Sequence, residues 1–425
     1  MPPRKGGKRA RAKKQAQNEA PIAKVAKKDK AKALEVEKEQ QKGKITVLTV
    51  GMGDMGQLGL GEDIAERSRP AIVTKLDDED VTSVQCGGMH NVALTQDGKA
   101  FSWGCNDEGA LGRATKEGED EEAFPAPVVF PSPKERIIQV SAGDSHSAFL
   151  HENGSILCSG AFRDSKGVIG LTASGQREGL PIRIWTSSSE KGVSVSSGNE
   201  HVAFLTDKGN LFTFGVGEQG QLGRVASCFA DRGGRRGLKA ILTPERVHVK
   251  WGPIESVFCG GYHSFAISKS RVAYAWGLNN YGQLGVGDAE SYFVPRKVTN
   301  GERFCAFSGA QHHSLALGRN GRVYACGRAE YGRLGLGEKA EEQHEFVEIP
   351  QLASVVDVAC AGSVSFAVTQ AGRAHAWGMG TNMQLSVGAD DDDVFTPQPV
   401  KGKNVDSRSI VHVSVGGQHA SFLAE

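Results

Sequence analysis

The sequence predicts an all-β fold, a seven-bladed β-propeller, and three observations predict it. A glycine-led turn recurs, opening at Gly51, Gly104, Gly160, Gly215, Gly277, Gly327 and Gly378. A second signature, G-x-x-H and its variants, runs in step with it: "GGMH", "GDSH", "GNEH", "GGYH", "AQHH", "GSVS" and "GGQH". The repeat region also begins with the second half of a unit and ends with the first half of one. Units of about 50 residues of short strands cannot bury both faces alone; seven closing radially leave only short, protected edges.

The elements follow in chain order. Residues 1–44 show no apolar period and read as a disordered cationic tail, separate from a propeller domain over 45–425. Residues 1–32 hold twelve Lys and Arg against two acids, and the remaining chain 38 against 47. A basic tail thus precedes an acidic body. Its clusters, Arg4, Lys5, Lys8, Arg9, Arg11, Lys13 and Lys14, then Lys27 and Lys28, suit a DNA backbone and nuclear import receptors. Ile45–Val50 is an entry strand. Within each unit, two alternating apolar runs flank a turn such as Asn153-Gly154 or Asn320-Gly321, which signals a β-hairpin. Ile410–Val415 and the run to Leu423 supply the half unit that pairs with the entry strand and closes the ring.

Gly51-Met-Gly-Asp-Met-Gly56 matches the dinucleotide-binding fingerprint G-x-G-x-x-G. That site needs a strand, this loop and then a long helix. Here a turn and another strand follow, and Gly215–Gly220 matches in the same repeat position. Both are repeat turns. Glycine is abundant, 55 of 425 residues, nearly twice the usual ~7 %, as many tight turns require.

Eight cysteines occur without a C-x-x-C pair. Their spacings suit no zinc site, and most lie in strand-like runs where a thiol packs as a small hydrophobe. With no apolar leader, this usage suits a reducing intracellular compartment. No apolar run is long enough to span a membrane as a helix. No metal or cofactor is called for.

What every blade shares serves the blade, and what one blade does differently is a candidate for function. Histidines 90, 146, 201, 263, 313 and 419 recur and read as buried rings hydrogen-bonded to backbone. The residue before each signature's end varies: Met89, Ser145, Glu200, Tyr262, His312, Val364 and Gln418. Equivalent propeller loops open on one face, so a varied ring there suits a partner-reading surface. The third turn departs from G-Q-L-G and runs Ala161-Phe-Arg-Asp-Ser-Lys-Gly-Val-Ile-Gly170. The fourth spacing carries an insertion after Val225, an arginine-bearing flexible loop among glycines. Arginine pairs bidentately with carboxylates, so this loop suits an acidic protein surface.

The G-x-N-x-x-G-Q-L-G turns with their G-x-x-H partners, over residues 45–425, resemble the regulator of chromosome condensation family. The likeness reaches individual loops, among them "GDSH", "FRDSKGVIGL" and "AEYGRLGLG". It implies guanine-nucleotide exchange on the small GTPase Ran, on chromatin in the nucleus, without covalent chemistry. Ran-GTP made there would serve nuclear transport, spindle assembly and nuclear envelope formation. Asp144, Glu200 and His312 are the implied exchange residues, with Glu200 where the family carries aspartate. Arg163, Asp164, Ser165, Lys166 and Gly167 match the wedge that enters the GTPase. Asp54, Asn199, Arg224 and Asn280 are weaker candidates for GTPase contact. Where the family has a histidine in the fifth turn, this chain has Gly282. Arg232, Arg235 and Arg236 match the loop that docks on the acidic patch of nucleosomal histones. Pro2 resembles an N-terminal methylation site.

Two other readings compete. A propeller of this kind can scaffold chromatin without exchange. It can also be an ultraviolet photoreceptor, which needs clustered tryptophans. Only Trp103, Trp185, Trp251, Trp276 and Trp377 are present, and three occupy the repeat's own W-G position.

Overall fold

Each repeat unit folds as a four-stranded antiparallel sheet, and there are seven such sheets. The computed structural model describes residues 44–425 except 117–120, 133–134, 251, 300 and 389–391. The expectations for the basic tail, from Pro2 and Arg4 to Lys28, and for Trp251 lie outside the described residues. In the second blade the strands run outward from the channel as Ile137–Ala142, His146–His151, Ile156–Gly160 and Glu178–Trp185. The second strand of that blade is buried along its whole length, because neighbouring blades cover both of its faces. Such strands lose the polar alternation that a one-sided sheet shows.

The ring closes as the half repeats require. Thr46–Met52 pairs with His419–Ala424, with Thr46 opposite Ala424 and Gly51 opposite His419. Glu66–Ile72 and Ile410–Val415 flank them to complete the seventh blade.

The recurrent residues fasten one blade to the next. His90 Nε2 lies 3.0 Å from Ser147 Oγ of the following blade. His201–Ser264, His263–Ser314 and His313–Ser365 repeat the contact at 2.8 Å. His419 closes the circle on Asn91 at 2.9 Å. The serine hydroxyls donate onward to turn carbonyls, Ser147 to Ala110 at 2.8 Å and Ser365 to Arg333 at 2.9 Å. A hydroxyl whose proton is so used must accept from the imidazole, which sets the Nε2–H tautomer. The partner is therefore a side chain of the next blade, rather than the backbone expected. Trp103, Trp276 and Trp377 donate to the turn carbonyls of Gln57, Gln221 and Arg333 and are buried in the blades. The glycine of G-x-x-H is steric: a Cβ on Gly143 would lie 2.1 Å from His146 Cε1, and one on Gly198 2.3 Å from His201 Cε1.

One register differs from the expectation. In the sixth blade Val364, not Ser365, stands opposite the leading glycine, Gly378. Ser363 is therefore the loop residue and Val364 replaces the histidine. The next blade matches, for Ala420 holds no hydroxyl for it. His146 is the other exception. Its neighbour one blade on is Val202, and neither ring nitrogen has a partner. Phe162 packs against it at 4.7 Å and against Phe214 at 5.8 Å, so this seam is apolar.

Burial holds these histidines neutral. The pKa of His90 falls to about 4, and those of His146, His201, His263 and His419 to about 3. Below pH 6.5 the unfolded chain takes up protons that the folded ring refuses, so stability is lost on acidification. Asp144 and Glu200, raised by burial to about 6 and about 9, oppose this but are outnumbered. The thermal midpoint should fall steadily from pH 6.5 to pH 4. A flat profile over that range would show that the rings are not held neutral.

Candidate functional site

The face that carries the G-x-x-H loops is held by backbone bonds from blade to blade. Gly88 N–H donates to Gly143 O at 3.0 Å, Asp144 to Asn199 at 2.8 Å, Asn199 to Gly261 at 3.1 Å and Gly417 to Gly88 at 2.9 Å. Side chains on these loops therefore stand on a fixed frame. Beside the channel mouth lies an open groove of about 640 Å³, lined by Asp144, Glu200, Glu218, Tyr262, Asn280, Gln311 and the start of the third-turn ribbon.

That ribbon is the departure in the repeat. Phe162–Asp164 pairs with Gly167–Gly170 as a separate two-stranded sheet. Phe162 is fully buried and roots it in the apolar seam. Arg163 N–H donates to Glu200 Oε2 at 2.7 Å, and its guanidinium meets Glu108 at 2.7 Å. Arg177 takes the other oxygen of Glu108, also at 2.7 Å. Ser165 gives both its N–H and its hydroxyl to Glu218, at 3.1 and 2.7 Å. The tip is left outward: Ser165 and Lys166 are exposed, and a Cβ on Gly167 would meet nothing within 4 Å.

The two groove carboxyls implied for exchange differ. Glu200 is 5 % exposed, and burial raises its pKa to about 9, more than the Arg163 amide lowers it. It is a neutral acid at pH 7, and it holds the ribbon's base instead of presenting charge. Burial raises Asp144 to about 6 against a hydrogen bond from Asn199, so it is mostly ionised at pH 7. Of these two implied exchange residues, Asp144 is thus charged and Glu200 neutral. Since Gln preserves a neutral acceptor, Glu200→Gln should keep the ribbon's function within about threefold, whereas Glu200→Ala takes the acceptor from the part-buried Arg163 N–H, at a cost of about 1 kcal/mol. Equal damage from both variants would mean that Glu200 acts as a charge.

The other candidates scatter. Asn199 lines the channel mouth and Asn280 the groove. Asp54 is exposed in the turn of the closing blade. His312 lies away from the groove lining, edge-on to Tyr281 at 5.0 Å, and burial followed by Arg333 and Arg328 lowers its pKa. Arg224 points inward, contrary to the expected partner contact. Its side chain is 6 % exposed and donates to the carbonyls of Thr213, Ala240 and Thr243 at 2.9–3.2 Å. It clamps the insertion, which is folded and not the flexible loop expected: Lys239–Leu242 is a helical turn, with Ile241 and Leu242 buried. Arg232 pairs with Asp164 inside the molecule. Arg235 and Arg236 are exposed, Arg236 over the ring of Phe229 at 4.7 Å.

Glu108, Glu218 and Gln311 were missed by sequence reasoning, and Tyr262 was noted only as a variable loop position. The two acids occupy variable turn positions in the repeats on either side of the ribbon's own, and that was the available signal. Among the described residues, no His, Cys, Asp or Glu cluster is arranged to hold a metal. No helix among them is long and apolar enough to cross a membrane. All eight cysteines are free thiols, and burial raises Cys86 and Cys259 to about 11.

Fold and face together define a seven-bladed propeller with one modified turn set against a partly acidic groove. Residues 46–422 match the RCC1-like domain, and the chain belongs to that family. It is 43% identical to the Regulator of chromosome condensation of Xenopus laevis, over 93% of each chain. It is 29% identical to the guanine nucleotide exchange factor SRM1 of Saccharomyces cerevisiae, over 87% of this chain and 85% of that one. The crystal structure of Prp20p from Saccharomyces cerevisiae, studied for its binding to Gsp1p and histones, superimposes with a TM-score of 0.81 at 28% identity, covering 90% of this chain and 92% of that one.

Proposed function

We propose that this chain is a guanine-nucleotide exchange factor for the small GTPase Ran and that it works on chromatin. The observation that carries the reading is the anchored ribbon with its exposed tip at the rim of the groove. A GTPase holds its nucleotide through backbone N–H groups, a lysine and Mg²⁺. A protein loop pushed into that cradle competes with the phosphates and their metal, and no covalent bond changes. Asp144, a charged carboxyl of the groove, can then hold the lysine that has lost its phosphate. Each ~1.4 kcal/mol removed from the release barrier speeds release tenfold. The factor itself needs neither nucleotide nor metal.

The yeast relatives named for exchange and for Gsp1p and histone binding support the reading. Exposed Arg235 and Arg236 suit the acidic patch of a nucleosome, and the basic tail suits DNA and import receptors. Deleting residues 1–32 should weaken DNA binding and flatten its salt dependence, because fewer phosphates are neutralised. Exchange in free solution should be unchanged, and a large loss there would place the tail on the exchange face.

The test is release of fluorescent GDP from purified Ran with and without the chain. Acceleration at catalytic amounts is expected. Nucleosome binding without acceleration would replace this reading with a chromatin scaffold.

A further inference from the structure

Two segments that the sequence suggests for different partners are locked together in the fold. Asp164 of the ribbon accepts two hydrogen bonds from Arg232 of the insertion, at 2.5 Å from Nε and 2.8 Å from Nη2. Lys166 of the ribbon donates to Asp231, the neighbouring residue of the insertion, at 2.6 Å. The polarity alternates: acid to base, then base to acid. A slip of either segment would set like charges against each other, so the pairs fix register as well as proximity. The Asp164 side chain is 2 % exposed, and Arg232 lowers its pKa against the effect of burial. Arg232 also holds a left-handed backbone, φ +48°. A non-glycine residue stays in that region only where its surroundings hold it there. The insertion behind it is in turn clamped to the third blade by Arg224 and by buried Ile241 and Leu242.

We infer that Arg232 and Asp231 are positioning residues for exchange: the insertion is a buttress that holds the ribbon's tip at the angle required to enter the GTPase. This assignment rests on the exchange reading above, and it takes Arg232 away from the acidic-patch contact suggested by sequence. Among the described residues the ribbon is otherwise held at its base, by Glu108, Glu200 and the buried Phe162 and Ile169, and at Ser165 by Glu218. The insertion's two charges are what hold Asp164 and Lys166, the residues on either side of Ser165, and without them the tip keeps only the Ser165 contact to Glu218 to set its angle. A loop that must displace phosphate oxygens loses rate when it is misplaced by an ångström, while docking over the rest of the face continues.

The experiment measures initial exchange rate against Ran concentration for Arg232→Ala, Arg232→Lys, Asp164→Arg, Arg232→Asp and the double reversal Asp164→Arg/Arg232→Asp. Arg232→Ala should lower the maximal rate about tenfold with the half-saturating Ran concentration within about twofold, the signature of an interaction used only in the transition state. Arg232→Lys keeps the charge but loses the bidentate geometry, and should fall between it and wild type. Each single reversal should be worse than Arg232→Ala. The double reversal should recover to within about threefold of wild type, a coupling that independent sites do not show. Amide hydrogen exchange at residues 163–168, measured without Ran, should rise in Arg232→Ala and return in the double reversal. A wild-type maximal rate for Arg232→Ala overturns the inference, as does a double reversal no better than its singles. If the wild-type chain accelerates no release, the exchange reading itself fails. Amide exchange then decides the buttress alone, and unchanged protection in Arg232→Ala overturns it.

Discussion

Replacing Arg163–Lys166 with a short Gly-Ser turn should lower the maximal rate of GDP release by about a thousandfold, equivalent to roughly 4 kcal/mol of barrier. The fold should survive. Phe162, which roots the ribbon, is untouched, and the substituted residue 163 still offers its N–H to Glu200. The Asp164–Arg232 pair loses its buried carboxylate together with the residue, leaving Arg232, 39% exposed, to water; the Lys166–Asp231 pair lies at the surface, with side chains 56% and 62% exposed. Such pairs contribute about 0–1 kcal/mol each, well inside the margin of a domain this size. Glu108, 7 % exposed in its side chain, keeps Arg177 as a partner and is not left as an unpaired buried charge. Affinity for Ran should fall far less than rate, because the groove and the other loops still dock. The measurement is initial rate against Ran concentration, with a thermal melt on the same sample. A normal maximal rate reached only at higher Ran concentration would make the ribbon a docking contact, and displacement of the nucleotide by it would have to be abandoned.

Removing residues 410–425 should abolish cooperative folding. This segment supplies two of the four strands of the closing blade. It buries Ile410, Val413, Phe422 and Leu423 at 3 % exposure or less. Losing a buried side chain of that size costs about 2–5 kcal/mol, so a few exceed the roughly 5–15 kcal/mol by which a domain is stable. Thr46–Met52 would also become an open edge, a template for aggregation. Joining Glu425 to Ile45 by an Asn-Gly turn, with new termini in the exposed Ser187–Ser189 loop, should restore a wild-type denaturation midpoint. Thr46 and Ala424 already face each other as in a hairpin. A truncated chain that melts cooperatively near the wild-type temperature would show that closure contributes little to stability.

The parts of this protein legible in its sequence are those that repeat. Leading glycines, G-x-x-H signatures and W-G pairs recur because each blade poses the same local problem. A backbone must turn at positive φ, a ring must lie on a residue without Cβ, and an indole must reach the neighbouring turn. The half repeats at the two ends announced the closure for the same reason. Departures from the repeat marked the ribbon and the insertion as segments of interest, with no indication of how they meet. Even within the pattern, the sixth blade slipped by one residue, since "GSVS" lacks the histidine that aligns the others.

What only the tertiary structure decided depends on distance through space and on exclusion of water. Asp164 and Arg232 are 68 residues apart in the chain, and only the packing of consecutive blades brings them together. Arg224 looked like a surface cation; carbonyls of the folded insertion turn it inward. Asp144 and Glu200 both read as acids of the exchange face. Burial raises one to about 6 and the other to about 9, so one is charged at neutral pH and the other is not. Turns and periodicity are short-range properties of the backbone and can be read along a line. Pairing of charges and loss of solvation belong to the closed ring, and no single repeat contains them.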